Sequence, residues 1–437
     1  MVESKKICVV GLGYVGLTLS VVLAEKGFQV YGITKSEELA EQLRNGKPHF
    51  HEKGLEVLLK KFVNKNLFIS ATIPADIAMD VFVISVGTPL DKSTKKPIIS
   101  HIESAVTDVA KNLRPGGLVV LRSTVPVGLT RNYVLPMIQK HQKERFYLAF
   151  ASERTIEGKA LSELKYLPQV IGGLDEESLN KASEIFIQVT KTIIRVSSLE
   201  SAEMIKILDN SYRDLTFAFA NEVAMVSRQL GLNAIELIEA ANFGYPRTNV
   251  PVPGFVGGAC LEKDPHILVD FATTAGYTPQ LVAMARKVNE SLPVFTADLV
   301  RKHCAANGKD IATAKIFVSG LAFKGRPETD DLRGSPTVDF LKCLQEAGAK
   351  NIHGHDFVVK REAIVGLGIT PCTLEEGFQG ADCVLFMNNH VSYEYFDIEK
   401  LLPNLNQQAF FFDGWHLFDS KVIKSYSHIT YEGLGER

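Results

Sequence analysis

The fold of the first half of this chain is decided by the stretch Lys6-Ile7-Cys8-Val9-Val10-Gly11-Leu12-Gly13-Tyr14-Val15-Gly16. Its apolar start is typical of a buried parallel strand, and a helical pattern follows it. A strand, a G-x-G-x-x-G turn and a helix in this order predict a dinucleotide-binding site. Gly11 permits the tight turn, Gly13 admits the pyrophosphate, and Gly16 lets the helix pack on the strand. The helix N-terminus at Tyr14 and Val15 then attracts the anion.

The end of the second predicted strand, residues 29–33, bears on which dinucleotide is bound. An acid usually stands there and binds the ribose hydroxyls, but Thr34 and Lys35 follow the strand in this sequence. Without the acid, nothing at this position repels a 2′-phosphate, and Lys35 would attract one. Glu37 and Glu38 restore negative charge nearby. NAD and NADP therefore both stay open on these residues alone.

Further alternation of strand and helix patterns predicts an open α/β sheet, with strands at residues 80–86, 117–121, 146–150 and 169–171. Polar side chains stand after three of these strands, namely Thr88, Thr124, Glu153, Arg154 and Glu157. Ligands bind beyond the carboxyl ends of the strands in such sheets. This predicts that Thr124, Glu153 and Glu157 line one crevice. Ordinary turn and cap chemistry is the alternative explanation.

An all-helical region follows. Residues 201–229 hold no proline or glycine and predict one long helix, and more helices are predicted at 234–242 and from 262 to about 292. Lys206 and Asn210 lie one turn apart on one face of the long helix. A solvated charged face is the usual explanation, but Asn210 costs helix propensity in mid-helix. A helix of this length with apolar residues on several faces needs a partner, which predicts a homodimer.

A second α/β unit begins with a strand at residues 315–320 and continues with strands at 351–355, 383–387 and 410–413. It has no G-x-G-x-x-G. Instead, Lys324, Arg326 and Arg333 surround the loop after its first strand, which suits an anionic ligand held by side chains. The predicted fold class is α/β, with two Rossmann-like doubly wound domains joined by an all-helical central domain. The predicted domains are 1–198, 199–305 and 306–437.

Covalent chemistry is suggested by the stretch Pro253-Gly254-Phe255-Val256-Gly257-Gly258-Ala259-Cys260-Leu261-Glu262-Lys263-Asp264-Pro265. Its three glycines allow the backbone to approach closely around Cys260. Lys263 favours a thiolate and Asp264 can order water, an arrangement that suits nucleophilic catalysis. A cysteine buried after a glycine-rich turn is the alternative.

Composition narrows the class of protein. A net charge of -2 leaves no basic excess, which argues against nucleic acid as a partner. Six scattered cysteines without a C-x-x-C pair argue against disulfides and a zinc site, and predict a reducing, cytoplasmic location with no metal. The uncharged segment 7–24 has about the length of a membrane span. Its glycine spacing favours the dinucleotide turn, so no membrane association is predicted.

In combination, these motifs resemble the UDP-glucose/GDP-mannose dehydrogenase superfamily, the NAD-dependent nucleotide-sugar 6-dehydrogenases, over nearly the whole chain. The resemblance is carried by the glycine turn at 11–16, Ser123-Thr124-Val125-Pro126-x-Gly128, Glu153-Arg154 with Gly158-Lys159-Ala160, Ala202-Glu203-x-x-Lys206 with Asn210, Asn221-Glu222, Pro246-Arg247, Gly257-Gly258-x-Cys260-x-x-Lys263-Asp264, and Phe323-Lys324 with Asp330-Asp331-x-Arg333-x-Ser335-Pro336. It implies that domain 1–198 binds NAD and domain 306–437 binds a UDP-sugar. It also favours a reactive Cys260 over a buried one.

The resemblance implies a four-electron oxidation. The C6 alcohol of the sugar becomes an aldehyde, which Cys260 captures as a thiohemiacetal. Reduction of a second NAD leaves a thioester, which water hydrolyses to the uronic acid. Lys206 and Asn210 would stabilise the oxyanion. The water would be ordered or deprotonated by Asp264, Thr124 and Glu157.

The same resemblance implies ligand contacts in all three regions. Cofactor binding is implied for Gly11, Gly13, Tyr14, Val15, Gly16, Thr34, Lys35, Thr88, Thr124, Lys263 and Arg333. Substrate binding is implied for Glu153, Arg154, Lys206, Asn210, Gly257, Phe323, Lys324 and Arg247. Of these, Arg247 would reach the sugar across a dimer interface.

Departures from the family pattern bear on the substrate. The run Asn210-Ser211-Tyr212-Arg213-Asp214 is similar to members that oxidise UDP-N-acetylhexosamines, and Arg213 and Asp214 would shape the pocket wall or form a salt bridge. Ala259 stands where those members often have His, which points towards UDP-glucose. We favour a UDP-N-acetylhexosamine (mannosamine, glucosamine or galactosamine), with UDP-glucose as the alternative. A two-electron hydroxyacid-type dehydrogenase, or an inactive nucleotide-sugar-binding protein, does not account for the thiol and its polar neighbours.

Overall fold

The computed structural model describes residues 5–91 and 93–436. The described residues form two compact units. The first unit runs up to Asp209 and also includes His266–Thr278. The second unit comprises Asn210–Pro265 and the residues from Pro279 onward.

The first unit is built on a sheet of eight strands. They are β1 (Lys6–Val10), β2 (Gln29–Ile33), β3 (Leu67–Ser70), β4 (Val81–Ile84), β5 (Leu118–Leu121), β6 (Tyr147–Phe150), β7 (Gln169–Gly173) and β8 (Ile193–Val196). Their order is β3-β2-β1-β4-β5-β6-β7-β8, and neighbours are parallel except β6 and β7. The order reverses at β1 and β4, and a crevice for ligands forms beyond the carboxyl ends of such strands.

Helices cover both faces of this sheet. They are α1 (Tyr14–Glu25), α2 (Glu37–Arg44), α3 (Leu55–Phe62), α4 (Ser100–Asn112), α5 (Leu135–His141), α6 (Ala160–Tyr166) and α7 (Glu176–Phe186). Ile7 and Val9 belong to one buried cluster, while Cys8 and Val10 belong to another. Successive strand residues point to opposite faces, so a strand covered on both sides is apolar at every position.

The all-helical region contains four helices, namely α8 (Leu199–Leu230), α9 (Ala234–Asn242), α10 (Asp264–Thr274) and α11 (Gln280–Ala306). The predicted end near residue 292 is wrong, because α11 continues through Pro293. Leu292, Ala297 and Val300 are buried along this helix, and their burial offsets the hydrogen bond that proline removes. In the described part of the chain, every helix is too short or too polar to cross a bilayer.

The second sheet has six parallel strands, namely β9 (Ile316–Ser319), β10 (Ile352–His355), β11 (Thr370–Pro371), β12 (Cys383–Phe386), β13 (Ala409–Asp413) and β14 (Ile429–Gly433). Their order is β11-β10-β9-β12-β13-β14. Its helices are α12 (Pro336–Glu346), α13 (Arg361–Gly366), α14 (Leu374–Phe378) and α15 (Ser420–Lys424). The predicted α/β class is confirmed. The strands that were not predicted, β3, β8, β11 and β14, are the edges of the two sheets.

Candidate active site

The turn between β1 and α1 is open where the pyrophosphate is predicted. Gly11 has φ +96°, and a Cβ there would lie 2.7 Å from the Ser85 carbonyl oxygen. A Cβ on Gly16 would collide with the Gly11 carbonyl oxygen, whereas a Cβ on Gly13 meets no heavy atom within 4 Å. Gly13 is the N-cap of α1, and its N-terminus has no side-chain cap. The first N–H groups of α1 therefore suit an anion such as the cofactor pyrophosphate.

The end of β2 carries a threonine and a lysine in place of an acid. Thr34 is nearly buried, while Lys35 is exposed and donates from Nζ to Ser104 Oγ at 2.8 Å. Glu37, at the start of α2, accepts a hydrogen bond from Arg44 at 2.5 Å. This ion pair offsets the negative charge of Glu37, which in the sequence stands close to Lys35.

The loops after β4 and β5 are joined and then held by α8. Thr88 Oγ1 donates to the Thr124 carbonyl oxygen at 2.7 Å. Farther along, the Glu203 carboxylate accepts from the N–H of Gly128 at 2.6 Å and of Thr130 at 2.9 Å. Burial raises the pKa of Glu203, although these hydrogen bonds oppose the rise. In the sequence, Glu203 stands out only as part of a motif, whereas in the structure it holds the Thr124 loop on α8.

Glu153 points into the first unit. Its carboxylate pairs with the buried Arg122 and accepts from the N–H of Arg154 at 2.7 Å and of Thr155 at 2.9 Å. Burial by itself raises the pKa of Glu153, but the Arg122 guanidinium and the two backbone groups hold it below its ordinary value. Arg154 Nε donates to Asp209 on α8 at 2.9 Å. Glu153 therefore shapes the loop through its backbone.

Lys206 is buried along most of its side chain, being 8% exposed. Among the described residues of its unit, none forms a hydrogen bond or an ion pair with its ammonium group. Burying an ammonium without a partner costs free energy. Thr124 and Glu157 of the same unit are half-buried. The Lys206 ammonium group is therefore suited to bind an anionic ligand or to stabilise negative charge that develops during a reaction.

In the second unit, the loop 253–263 is packed so closely that three positions exclude a side chain. A Cβ would clash with the Trp415 ring at Gly254, with the Gly334 carbonyl oxygen at Gly257, and with the Phe323 ring at Gly258. Gly258 has φ +93°, and its N–H donates to the Gly334 carbonyl oxygen at 2.8 Å. These glycines fix the loop against the segment that precedes α12.

Cys260 lies in this loop with its side chain exposed, so the alternative of a buried core cysteine is wrong. The Cys260 carbonyl oxygen accepts from the Lys263 N–H at 3.1 Å and from the Asp264 N–H at 2.9 Å. The Asp264 carboxylate is fully buried and accepts from Asn210 Nδ2 at 2.6 Å. Lys263 Nζ lies 3.4 Å from its other oxygen. The structure thus joins Asn210, Lys263 and Asp264 beside the turn that carries the thiol.

The basic loop after β9 combines an aromatic ring with cations. Lys324 Nζ lies 5.2 Å from the centroid of the Phe323 ring. Arg326 donates to the Asn389 carbonyl oxygen at 2.9 Å and to Glu394 at 2.5 Å. Arg326 is therefore held at the rim of the loop, while the neighbouring ring and ammonium suit a base and a phosphate.

Two other predicted ligand-binding arginines have local partners. The Arg333 guanidinium binds the Asp331 carboxylate with N···O distances of 2.7, 2.9 and 3.0 Å. Arg247 lies over the Tyr245 ring at 4.4 Å, on an exposed loop. Both pairs fix the direction of the guanidinium group.

The prediction that Asp214 shapes the wall of the sugar pocket is wrong. Asp214 is fully buried, and its Oδ1 lies 3.2 Å from Arg286 Nη1 on α11. Its neighbour Arg213 is exposed. The sequence could not reveal this pairing because the partner lies on a different helix.

The first unit holds a dinucleotide turn, and the second holds an exposed thiol and a basic loop, which together are the features of a dinucleotide-dependent dehydrogenase. The chain matches the NAD binding domain of the UDP-glucose/GDP-mannose dehydrogenase family over residues 5–190. It matches the central domain of that family over 200–291 and the UDP binding domain over 317–420.

Individual relatives agree with these matches. The chain is 32% identical to a UDP-N-acetyl-D-mannosamine dehydrogenase from Methanococcus maripaludis, with 97% of this chain and 94% of that protein covered. A solved UDP-D-ManNAc dehydrogenase from Pyrococcus horikoshii is 30% identical, with TM-score 0.88 and coverage of 98% and 99%. A solved UDP-glucose dehydrogenase from Pyrobaculum islandicum is 27% identical, with TM-score 0.87 and coverage of 100% and 98%.

The chain therefore belongs to the UDP-glucose/GDP-mannose dehydrogenase family. It is an NAD-dependent oxidoreductase that acts on UDP-sugars. The predicted family, enzyme class and cofactor are confirmed.

Proposed function

We propose that this enzyme oxidises the C6 alcohol of a UDP-N-acetylhexosamine to the uronic acid in two steps. Each step reduces one NAD, and a covalent bond to Cys260 links them. The observation that carries the proposal is the exposed Cys260 thiol in a turn directly followed by the buried Asp264, which Asn210 binds. A reaction that stopped at one hydride would need no nucleophile there.

The chemistry balances with the groups present. Loss of a hydride from C6 and of the proton from its hydroxyl group gives an aldehyde, to which the Cys260 thiolate adds through a new C–S bond. Lys206 and Asn210 stabilise the alkoxide until it is protonated, and the Asn210 amide has a second N–H to donate. Loss of a second hydride and the hydroxyl proton gives the thioester. Water then attacks and the thiolate leaves, with the water ordered or deprotonated by Asp264, Thr124 and Glu157.

Bound NAD supplies the hydride acceptor in both steps. We assign cofactor binding to Gly11, Gly13, Tyr14, Val15, Gly16, Thr34, Lys35, Thr88, Thr124, Lys263 and Arg333. The open surface at Gly13 and the uncapped N-terminus of α1 support this assignment. NADP stays open because Thr34 and Lys35 follow β2, where an acid usually stands.

We assign the UDP-sugar to Glu153, Arg154, Lys206, Asn210, Gly257, Phe323, Lys324 and Arg247. The favoured sugar is an N-acetylhexosamine, supported by the similarity to UDP-N-acetyl-D-mannosamine dehydrogenases. Because Asp214 is buried, it does not support this choice of sugar. The exposed Tyr212 and Arg213 of the same run still do. UDP-glucose is the alternative, supported by Ala259 and by the similar fold of a UDP-glucose dehydrogenase.

The proposal includes a homodimer formed along α8. Tyr212, Phe219 and Val226 recur every seven residues and are 64%, 56% and 58% exposed, and Leu230 near the helix end is 66% exposed. A stripe with this period matches the same stripe on a second copy. Light scattering at micromolar concentration is expected to give a dimer for the parent and a monomer for Phe219→Glu. A monomeric parent would contradict the dimer.

The proposal also includes three domains, at residues 1–198, 199–305 and 306–437, which follow from the sequence patterns. It includes a cytoplasmic location, which follows from the cysteine usage.

The covalent step is tested by quenching the enzyme during turnover with UDP-N-acetylmannosamine and NAD. Mass spectrometry is expected to find a uronyl adduct on the peptide that contains Cys260. Cys260→Ala should form neither the adduct nor uronic acid. Uronic acid production by Cys260→Ala at near-parent rate would contradict the mechanism.

The sugar is tested separately, by kcat/KM for UDP-N-acetylmannosamine, UDP-N-acetylglucosamine, UDP-N-acetylgalactosamine and UDP-glucose. A clear preference for UDP-glucose would contradict the choice of sugar and leave the covalent mechanism intact.

A further inference from the structure

The loop 253–263 has neither helix nor strand along its length. A thiol on such a loop is placed accurately only if other parts of the molecule hold the loop backbone on both sides of it. In the second unit, four buried polar residues from α8 and α11 do this: Asp214, Asn221, Arg286 and Asn289.

Asn221 on α8 holds the start of the loop. Its Oδ1 accepts from the Gly254 N–H at 2.9 Å, and its Nδ2 donates to the Gly254 carbonyl oxygen at 3.1 Å. The carboxamide therefore binds both backbone groups of one residue, as a neighbouring strand would. Asn221 is fully buried, so water does not compete for these hydrogen bonds.

Arg286 on α11 holds the loop just after the thiol. Its Nη1 donates to the carbonyl oxygen of Leu261, the residue next to Cys260, at 2.8 Å. The same nitrogen lies 3.2 Å from Asp214 Oδ1, and the Arg286 side chain is 3% exposed. The Asp214 carboxylate thus fixes the guanidinium that binds the loop.

Asn289 joins the two holding points. Its Nδ2 donates to Asp214 Oδ1 at 2.8 Å, and its Oδ1 accepts from Asn221 Nδ2 at 2.9 Å. The result is one continuous hydrogen-bonded chain with a contact to the loop at each end. Buried polar groups and ion pairs of this kind are weak devices for stability, since apolar residues of similar volume often stabilise as well. Their value lies in specifying one position of the backbone.

We propose that Asp214, Asn221, Arg286 and Asn289 are positioning residues that set the place of the Cys260 thiol for the second oxidation. The inference rests on the proposed covalent role of Cys260. None of the four acts on the reacting atoms. The first hydride loss needs no thiol, whereas capture of the aldehyde requires the sulfur within bonding reach of C6. Loosening the loop should therefore let the aldehyde escape while substrate and NAD still bind.

The test compares Arg286→Lys with Arg228→Lys. Lysine keeps the charge beside Asp214 and loses the fixed fork of the guanidinium that also reaches Leu261. Arg228 is a matched control in the same unit, because it pairs with Glu432 of β14 at 2.9 Å and makes no hydrogen bond to the loop among those described. Asn221→Ser, which leaves the ion pair intact, tests the other end of the loop.

In Arg286→Lys and Asn221→Ser, amide hydrogen exchange in a peptide covering 253–263 should be about tenfold faster than in the parent. Uronic acid formation should fall on the order of 100-fold while KM for the UDP-sugar changes less than about threefold. Semicarbazide should trap released aldehyde, and the NADH formed per sugar should fall from two towards one. Arg228→Lys should lower Tm without any of these changes.

Parent-like exchange, or a parent-like yield of two NADH per sugar, in both variants would overturn the proposal. Equal changes in Arg228→Lys would also overturn it, because a general loss of stability would then explain them. A parent that yields only one NADH per sugar contradicts the proposed function instead. The exchange comparison would still decide whether these residues hold the loop.

Discussion

The first strands of the two Rossmann-like sheets are followed by glycine turns of the same backbone geometry, but the segments after these turns differ. Gly11 after β1 donates its N–H to the Ile33 carbonyl oxygen at 2.9 Å, and Gly320 after β9 donates to the His355 carbonyl oxygen at 2.9 Å. Their φ angles are +96° and +90°. Helix α1 begins within one turn of Gly11, whereas a long basic loop separates Gly320 from α12. The first sheet offers backbone N–H groups to an anion, and the second offers side chains.

The ends of the second strands show the same divergence. Asp356 follows β10 at the position where Thr34 follows β2. The Asp356 carboxylate accepts from four backbone N–H groups, those of Leu321, Ala322, Val358 and Val359. An acid at this register therefore need not bind a ribose, because the loop of the second unit uses it to fold. The position alone does not identify a cofactor site.

The largest effect is expected from a change in the basic loop of the second unit, where side chains are proposed to bind the anion. Lys324→Met should raise KM for the UDP-sugar about 10- to 100-fold, since loss of a hydrogen bond to a charged group costs about 1.5–3 kcal/mol. KM for NAD should not change. Lys342→Met, on α12, is the control, because Lys342 pairs with Asp339 at the surface. An equal rise in KM for NAD would show that Lys324 does not serve the UDP-sugar alone.

Gly320→Ala should destabilise the second unit by about 1–3 kcal/mol, because its φ of +90° strains any other residue. The new Cβ would also lie 2.6 Å from the Asn388 nitrogen. Thermal unfolding followed by circular dichroism measures the effect. An unchanged Tm would mean that the shared turn geometry does not require glycine here.

Gly13→Ala should leave stability unchanged and weaken the binding of NAD. Its Cβ meets no heavy atom of the protein within 4 Å, so the Tm should stay at the parent value. The methyl group would occupy the surface that the pyrophosphate approaches, and we expect KM for NAD to rise about tenfold, equivalent to about 1.4 kcal/mol. A parent-like KM for NAD, measured at saturating UDP-sugar, would remove Gly13 from the cofactor site.

The smallest effect concerns the end of β2. Thr34→Asp should reduce NADP activity about fivefold and spare NAD activity, since a carboxylate about 4 Å from a phosphate charge repels it by about 1 kcal/mol even with full screening by water. The ratio of kcat/KM for the two cofactors measures this selectivity. Equal losses with both would mean that residue 34 does not lie at the ribose.

The central strands and the long helix could be predicted because burial on both faces, or on one long face, leaves an unbroken apolar pattern. Edge strands such as β3 and β11 are short or partly exposed and lack that pattern. At the site, motifs pointed to Cys260, Asn210 and Asp264, because the roles proposed for these residues depend on residue type. The roles of Glu203 and Arg286 were missed because a buried charge looks like any surface charge in sequence, and only its distant partner shows the difference.

The proposed mechanism requires that one UDP-sugar yields two hydrides through a thioester on Cys260. The direct measurement is the number of NADH molecules formed per UDP-N-acetylmannosamine consumed to completion, with the product identified by mass spectrometry. We predict two NADH and the uronic acid for the parent, and at most one NADH and no uronic acid for Cys260→Ala. One NADH per sugar in the parent, or two in Cys260→Ala, would contradict the claim.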